Sequence, residues 1–310
     1  MAKHVTTGRW QLGLALTLVT VALWSSLPIA LKLLLERIDA YTLTWLRFAA
    51  SAALVGAWLA WRGRLPIPWR LAGTERLLLL LVVLGLCGNY ILYLLGLDRV
   101  TPSAAQVVIQ LAPLFLAIGG LVLFRERFSA LQWLGFSLVV GGLGLYFHAR
   151  LSEIFRFDEF GHGVLIVVGA AVSWAAYALA QKQLLNHWRS DAIMWCVYAA
   201  AIFLFLPLAQ PSQLLALDGQ TIALLAFASL NTMIAYGCFA EALAHWEASR
   251  VSAVLAVTPL LTIGLMQVLA WITPGRLASE PLDALSLLGA LVLVLGSALT
   301  ALAARRRKDS

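Results

Sequence analysis

Long apolar runs alternate with short polar segments along almost the whole chain. Each run is close to the stretch of about 20 residues that an α-helix needs to cross a bilayer. The segments between the runs are rich in Arg, Asp, Pro and Gly, which end helices. The pattern predicts ten spanning helices, at approximately residues 10–32, 40–61, 75–97, 103–124, 129–148, 161–182, 192–210, 220–240, 251–272 and 283–304. We therefore predict an all-α integral membrane protein.

The second half of the chain repeats features of the first half. The Glu, Ala-Leu, Leu-Gly and Gly positions of residues 126–142 recur at the same spacing in residues 280–296. Further identities pair Trp24, Ala30, Lys32 and Trp45 with Trp174, Ala180, Lys182 and Trp195, and Tyr90 and Pro113 with Tyr236 and Pro259. Internal repeats of this kind are typical of transporter folds. We predict a first five-helix repeat over residues 1–149, a connecting segment over 150–160 and a second five-helix repeat over 161–310.

Composition and charge placement extend this picture. Apolar residues make up 62% of the chain and charged residues 12%, against about 25% charged in an ordinary soluble domain. The net charge of +7 does not indicate nucleic-acid binding, because most cationic residues lie in alternate connections, as the positive-inside rule describes. This distribution predicts a multi-pass protein of the inner membrane with both termini in the cytoplasm. Because each repeat has five helices, the second enters the membrane from the opposite side, so the repeat is inverted.

Several other interpretations of the chain are weaker. A cleaved signal peptide is the alternative at the N-terminus, but the apolar run is longer than the signal core of about 7 to 15 residues. The three cysteines fall in predicted helices without disulfide or metal spacing, and the five histidines are dispersed. HExxH and GxSxG motifs are absent from the sequence. We therefore expect no metal, no cofactor, no catalytic residue and no enzymatic activity.

The predicted helix interiors hold almost no ionisable groups, although such groups usually mark function inside a membrane. Without a carboxylate near mid-membrane, exchange of protons for a cationic drug is disfavoured, and a neutral or zwitterionic substrate is favoured. Aromatic and amide side chains lie at matching depth in both repeats. The predicted substrate-binding residues are Trp24, Ser25, Asn89, Tyr90, Gln110, Trp174, Tyr177, Asn231 and Tyr236. Packing, a lipid-facing position or a bond to the local backbone is the alternative interpretation for each.

Three prolines and one arginine lie within predicted spans. Pro28, Pro113 and Pro259 predict helix kinks, because proline lacks a backbone donor and frees carbonyls that a cavity or a partner helix must satisfy. Arg47 is the most costly residue to bury. We predict that it bonds backbone carbonyls or reaches the outer surface, with substrate contact as the alternative.

Two lysines occupy equivalent positions in the repeats, and inversion places them near opposite membrane faces. The simple interpretation of Lys32 and Lys182 is that each reaches out to the membrane surface. The alternative is that each lysine closes one gate of a transport pathway, with Glu241 as the partner of Lys182.

The fifth and tenth predicted helices carry small residues at a seven-residue spacing. Such a stripe allows two backbones to approach closely, so we predict that these helices pair with each other or with another protomer. The stripes comprise Gly135 and Gly142 in the fifth helix and Gly289 and Gly296 in the tenth. Glu126 and Glu280 are predicted to begin the two helices, where the helix dipole favours a carboxylate.

These features together resemble the drug/metabolite transporter superfamily, EamA type, and most closely its YddG-type aromatic amino-acid exporters. The residues that carry the resemblance are Trp24, Ser25, Ser26 and Lys32, Arg47, the Thr101–Ala105 segment, Pro113 and Glu126. The resemblance implies two inverted five-helix bundles, alternating access and export of aromatic and other neutral amino acids. The Thr273–Ser279 segment departs from it by lengthening one outer loop.

The resemblance also sets the expected partners. These are a small-molecule substrate and membrane lipid, with no nucleic acid, and the protein is expected to be a monomer or a weak homo-oligomer. The alternatives are export of another small metabolite or drug, and a membrane receptor or scaffold that transports nothing.

Overall fold

The computed structural model describes residues 9–66, 68, 73–123, 129–186, 188–246, 248–273 and 282–303. In these ranges the chain forms α-helices, short 3-10 turns and connections, and no strand. The helices are α1 (Trp10–Leu35), α2 (Ala40–Trp61), α3 (Gly73–Arg99), α4 (Pro102–Val108), α5 (Leu111–Leu123), α6 (Ala130–Tyr146), α7 (Leu151–Phe155), α8 (Glu159–Leu184), α9 (Ser190–Phe205), α10 (Gly219–His245), α11 (Ala248–Leu255), α12 (Thr258–Ile272) and α13 (Ala284–Ala303). The all-helical class predicted from the sequence is thus observed throughout the described ranges.

Each predicted span coincides with one helix or with two consecutive helices. Among the described residues, eight segments are long and apolar enough to cross a membrane, with α4 and α5 forming one of them together and α11 and α12 another. The count is nine if α6 and the following His148–Phe155 segment, bent from it by 60°, form one span. Helix α9 is apolar but shorter than these segments. Length and composition therefore support eight or nine of the ten predicted spans.

Side-chain caps determine where α6 and α13 begin. Ser129 forms a capping box at the start of α6, and the Asp283 carboxylate accepts the Ser286 N–H at 2.8 Å before α13. That hydrogen bond holds the pKa of Asp283 below its usual value. Glu126 and Glu280, which we predicted at these helix starts, lie outside the described residues. The observed caps follow those positions by three residues in each repeat.

The most extensive helix contacts all join the first half of the chain to the second half. Helix α3 packs along α8, α6 along α13, α1 along α10 and α2 along α9, while α5 also contacts α8 and α1 also contacts α12. The buried apolar side chains form two clusters, one around Leu34 and Leu97 and the other around Phe48 and Leu86. Neither half therefore has a core that is independent of the other half.

Backbone contact along glycines joins α6 to α13, which confirms the prediction that the fifth and tenth helices pair with each other. A Cβ atom built on Gly142 would lie 2.6 Å from the backbone nitrogen of Leu293, and one on Gly296 would lie 2.6 Å from the carbonyl oxygen of Gly135. A side chain at either position therefore collides with main chain, which cannot move aside as a flexible side chain can. We call this contact the glycine seam.

Helical interruptions separate α4 from α5 and α11 from α12, at equivalent places in the two halves. Pro113 and Pro259 lie just after these interruptions. Since Pro259 has no N–H, the carbonyl of Leu255 lacks its usual helical donor and accepts the Thr258 hydroxyl at 2.5 Å instead. Pro28 lies inside α1, which is helical without a break from Trp10 to Leu35, so this proline does not interrupt its helix.

Candidate functional site

Five of the predicted site residues meet between the two halves. Trp24 of α1 and Tyr236 of α10 contact edge to face, with ring centroids 5.4 Å apart. Trp174 and Tyr177 are neighbours on α8, with centroids 6.4 Å apart. Tyr90 of α3 belongs to the same buried cluster as Tyr177, and Tyr236 also lies beside Tyr90 and Trp174. We call these five residues the central aromatic cluster; they bring together four helices, two from each half.

Arg47 of α2 lies against the central aromatic cluster and is only 4% exposed. One terminal nitrogen donates to the Thr232 hydroxyl of α10 at 2.9 Å, and the guanidinium carbon lies 4.9 Å from the centre of the Tyr90 ring, within reach of a cation–π contact. The Nε atom is buried without a hydrogen-bond partner. The predicted position at backbone carbonyls or the outer surface is wrong, because the side chain points into the bundle, where it bonds a hydroxyl.

Two further aromatic residues extend the cluster and were not among the predicted site residues. The Phe48 ring lies 4.7 Å from that of Tyr90 and 5.8 Å from that of Tyr198, between ring centroids. The repeat alignment that pairs Trp45 with Trp195 also places Phe48 opposite Tyr198. An aromatic residue at the same repeat position in both halves is therefore the sequence signal that identifies this pair.

The predicted polar site residues lie at contacts between the two halves rather than among the rings. The three amide side chains each donate to a main-chain carbonyl of the other half, from Asn89 to Ala170 at 2.9 Å, from Asn231 to Leu23 at 2.8 Å and from Gln110 to Ala256 at 3.2 Å. These amides hold helices together. The Ser25 hydroxyl instead donates to the Val21 carbonyl of its own helix at 2.6 Å, and the Thr258 carbonyl is its more distant neighbour at 3.2 Å. The other polar atom of the Asn231 amide, Oδ1, is buried and accepts no hydrogen bond.

Lys32 joins α1 to the end of α3. Its ammonium donates to the carbonyls of Leu97 and Asp98, in the last turn of α3, at 2.8 and 2.6 Å. Carbonyls at a helix C-terminus have no helical donor and carry partial negative charge, so a cation is favoured there. The lysine thus ties α1 to α3 beside the start of α4.

The equivalent end of the second half is arranged differently. Lys182 is exposed near the end of α8. The carboxylate of Glu241 lies 3.1 Å from the Nε2 atom of His245, four residues later on the same helix. The pairing of Lys182 with Glu241 stays a prediction.

The short helices α4 and α11 occupy equivalent repeat positions but differ in burial. All seven residues of α4 are buried. Among the α11 residues whose side chains the structure describes, Arg250 and Ser252 are exposed, Val251 is buried and residues 253–255 are half-buried. Helix α4 is therefore more deeply buried than the described part of α11.

A surface cavity of about 200 Å³ lies at one end of α1 and α10, away from the aromatic cluster. Its lining comprises Glu36, Arg37, Ala216, Leu217, Asp218 and Thr221. None of the predicted substrate-binding residues borders it, so it is not a candidate substrate site. Over the described ranges, no three His, Cys, Asp or Glu side chains are grouped closely enough to hold a metal ion.

Comparisons with known proteins agree with this architecture. An inner membrane protein of Escherichia coli described as "Uncharacterized inner membrane transporter YhbE" is 36% identical over 297 residues, which are 95% of this chain and 92% of that protein. A protein of Haemophilus influenzae described as "Uncharacterized transporter" is 35% identical over 291 residues, 94% of this chain and 95% of that protein.

A solved crystal structure with 19% sequence identity matches the fold with a TM-score of 0.64, over 95% of this chain and 98% of that one. The sequence model of the EamA-like transporter family matches the chain twice, at residues 11–147 and 161–302. The chain therefore belongs to the EamA-like transporter family, within the drug/metabolite transporter superfamily, and is a membrane transporter.

Proposed function

We propose that the protein exports neutral amino acids, aromatic ones among them, across the inner membrane by alternating access. The observation that carries the proposal is the central aromatic cluster, built by four helices from both halves around a buried guanidinium. Aromatic faces and edges bind apolar and aromatic side chains well. A polar group among them serves to orient the ligand, as in most small-molecule sites.

The helix contacts support the proposed arrangement of ten helices in two inverted repeats, residues 1–149 and 161–310. Exchanging each helix for its repeat equivalent turns the contact of α1 with α10 into that of α8 with α3, and the contact of α5 with α8 into that of α12 with α1. The pairs α2 with α9 and α6 with α13 map onto themselves. The double match of the family model at 11–147 and 161–302 favours the same division.

The unequal burial of α4 and α11 supports alternating access. If two equivalent elements are related by inversion, they lie at opposite membrane faces, and one conformer can be closed at one face and open at the other. With the N-terminus in the cytoplasm, α4 begins at the outer face. The conformer described above is then closed outside, with Lys32 holding α1 to α3, and open inside around α11. The proposed outward-open state exchanges these roles, with Lys182 and Glu241 forming the inner gate.

Transport of labelled amino acids into proteoliposomes tests the proposal. The panel comprises tryptophan, phenylalanine, methionine and threonine, each measured with and without a pH gradient. We expect saturable uptake in the absence of the gradient, because no Asp or Glu is buried among the described residues to carry a proton.

Three outcomes of this experiment differ in meaning. Uptake that needs the gradient would retain the amino-acid carrier but contradict facilitative transport. Flux of none of the four amino acids would contradict the proposed substrate class. Binding of an amino acid without flux would favour a receptor.

A further inference from the structure

The charge of Arg47 has no counter-ion in the part of the chain that the structure describes. The side chain is 4% exposed, and no carboxylate of a described residue lies within 4 Å of its guanidinium. The ionisable groups that surround it are the hydroxyls of Tyr90, Tyr93, Tyr198 and Tyr236, which are neutral at physiological pH. A buried charge is normally paired, because leaving water is costly.

The neutral partners of Arg47 use only part of its hydrogen-bonding capacity. A guanidinium has five N–H groups in a planar fork. The Thr232 hydroxyl takes one of them, the Tyr90 ring faces the group as a π-system, and the Nε–H is buried without any acceptor. The unused donor lies in the region where the aromatic rings of both halves converge.

The second repeat has no arginine at the position equivalent to Arg47. The repeat alignment places Val197 opposite Arg47, while the adjacent positions hold aromatic residues in both halves, Phe48 and Tyr198. The scaffold of the second half forms with an apolar residue at this position. The buried charge in the first half is therefore not required by the architecture that the two repeats share.

We propose that the Arg47 guanidinium binds the carboxylate of the transported molecule. A carboxylate supplies two acceptors in the geometry of the guanidinium fork and neutralises the charge. The rings around it then contact the rest of the substrate. This inference rests on the proposed amino-acid transport and deepens it: the carrier prefers a free carboxylate and binds an amide or amine analogue more weakly.

Ligand chemistry tests the assignment on the unaltered protein. Binding of radiolabelled phenylalanine to the full-length protein in lipid nanodiscs is competed with unlabelled phenylalanine, 3-phenylpropionate, phenylalaninamide and phenethylamine. We expect both carboxylates to compete. The amide and the amine should compete at least about tenfold more weakly, because a hydrogen-bonded charge pair is lost.

Variants test whether Arg47 is the residue that binds the carboxylate. Arg47→Met should weaken phenylalanine binding at least about tenfold and remove the preference for acid over amide. Arg47→Lys should be intermediate, because an ammonium keeps the charge but not the fork. The matched control is Arg99→Met, since Arg99 donates to a carbonyl of its own helix at an exposed site. Size-exclusion profiles and thermal unfolding verify that each variant is folded.

The outcomes separate this inference from the proposed function. Equal competition by acid and amide, an acid preference that survives in folded Arg47→Met, or no binding of any compound would each overturn the role of Arg47. Phenylalanine flux with equal flux of its amide would leave the transporter intact and overturn only that role. Carboxylate-dependent binding without flux would retain the role of Arg47 and contradict transport.

Discussion

At the residue scale, the environment of each side chain decides which of two similar residues can affect transport. Trp174 touches Tyr177 and lies beside Tyr236, whereas Trp271 is 82% exposed on the outside of α12. We expect Trp174→Leu to raise the KM for phenylalanine and tryptophan about 3- to 10-fold, the value of one lost aromatic pair, and to change threonine uptake less. Uptake kinetics in proteoliposomes measure the effect.

The matched control for this substitution is Trp271→Leu, which removes the same side chain at an exposed position. Its kinetics should equal those of the unaltered protein. If the two variants behave alike for all substrates, the central aromatic cluster is not the site. A uniform loss of transport in Trp174→Leu alone would indicate a structural role for this ring.

Individual residues show which parts of the candidate site could be predicted from the sequence and which could not. Paired aromatics such as Trp24 and Trp174 were predicted to share one site because their repeat positions fix both depth and helix. The partner of Arg47 was not predictable, since an arginine two turns into a helix can turn outward or inward and the Thr232 hydroxyl belongs to a distant helix. The hydropathy pattern does not specify how a helix is rotated about its axis. It therefore could not predict that polar residues such as Asn89 bond carbonyls of a neighbouring helix.

At the element scale, the glycine seam makes a sharp stability prediction. Gly142→Ala places a Cβ atom 2.6 Å from a backbone nitrogen of α13, whereas one at neighbouring Gly141 meets nothing within 4 Å. We expect Gly142→Ala to lower the free energy of unfolding by about 1–3 kcal/mol through overpacking. Gly141→Ala should leave it unchanged or raise it, because alanine favours helix.

Thermal unfolding of the two variants in the same detergent gives the comparison. A Tm for Gly142→Ala equal to or above that of Gly141→Ala would mean that α6 and α13 do not pack as closely as described.

The sequence predicted the pairing of α6 with α13 because glycine spacing is a local pattern. It did not predict that α9 would be shorter than the other spans, since apolar residues continue past its end at Phe205.

At the scale of the whole molecule, the difference in burial between α4 and α11 predicts the membrane face at which an introduced cysteine reacts with a thiol reagent. Gln106 is buried in α4, and Ser252, its repeat equivalent in α11, is exposed. Single cysteines at these two positions are compared after Cys87, Cys196 and Cys238 are replaced. A membrane-impermeant maleimide added at the cytoplasmic face should label Ser252→Cys and spare Gln106→Cys.

Substrate supplied at the outer face should increase labelling of Gln106→Cys from that side, because the carrier then samples the opposite conformer. Equal labelling of both cysteines from one face would contradict a closed end around α4. Preferential labelling of Ser252→Cys from the outer face would instead reverse the proposed topology. The sequence predicts a division into repeats but not a conformer, because the two states of the proposed cycle share the same hydropathy pattern.

The glycine seam has a further consequence for conformational entropy. Glycine has no rotamers to lose, so α6 and α13 come together without the side-chain ordering that accompanies an ordinary helix contact. The same property leaves this contact without alternative packing arrangements, because main chain meets main chain directly. In the proposed alternating access, the two states differ in side-chain contacts elsewhere while this pair of helices keeps one geometry. The rearrangement then falls on the other helices, with α4 and α11 among them.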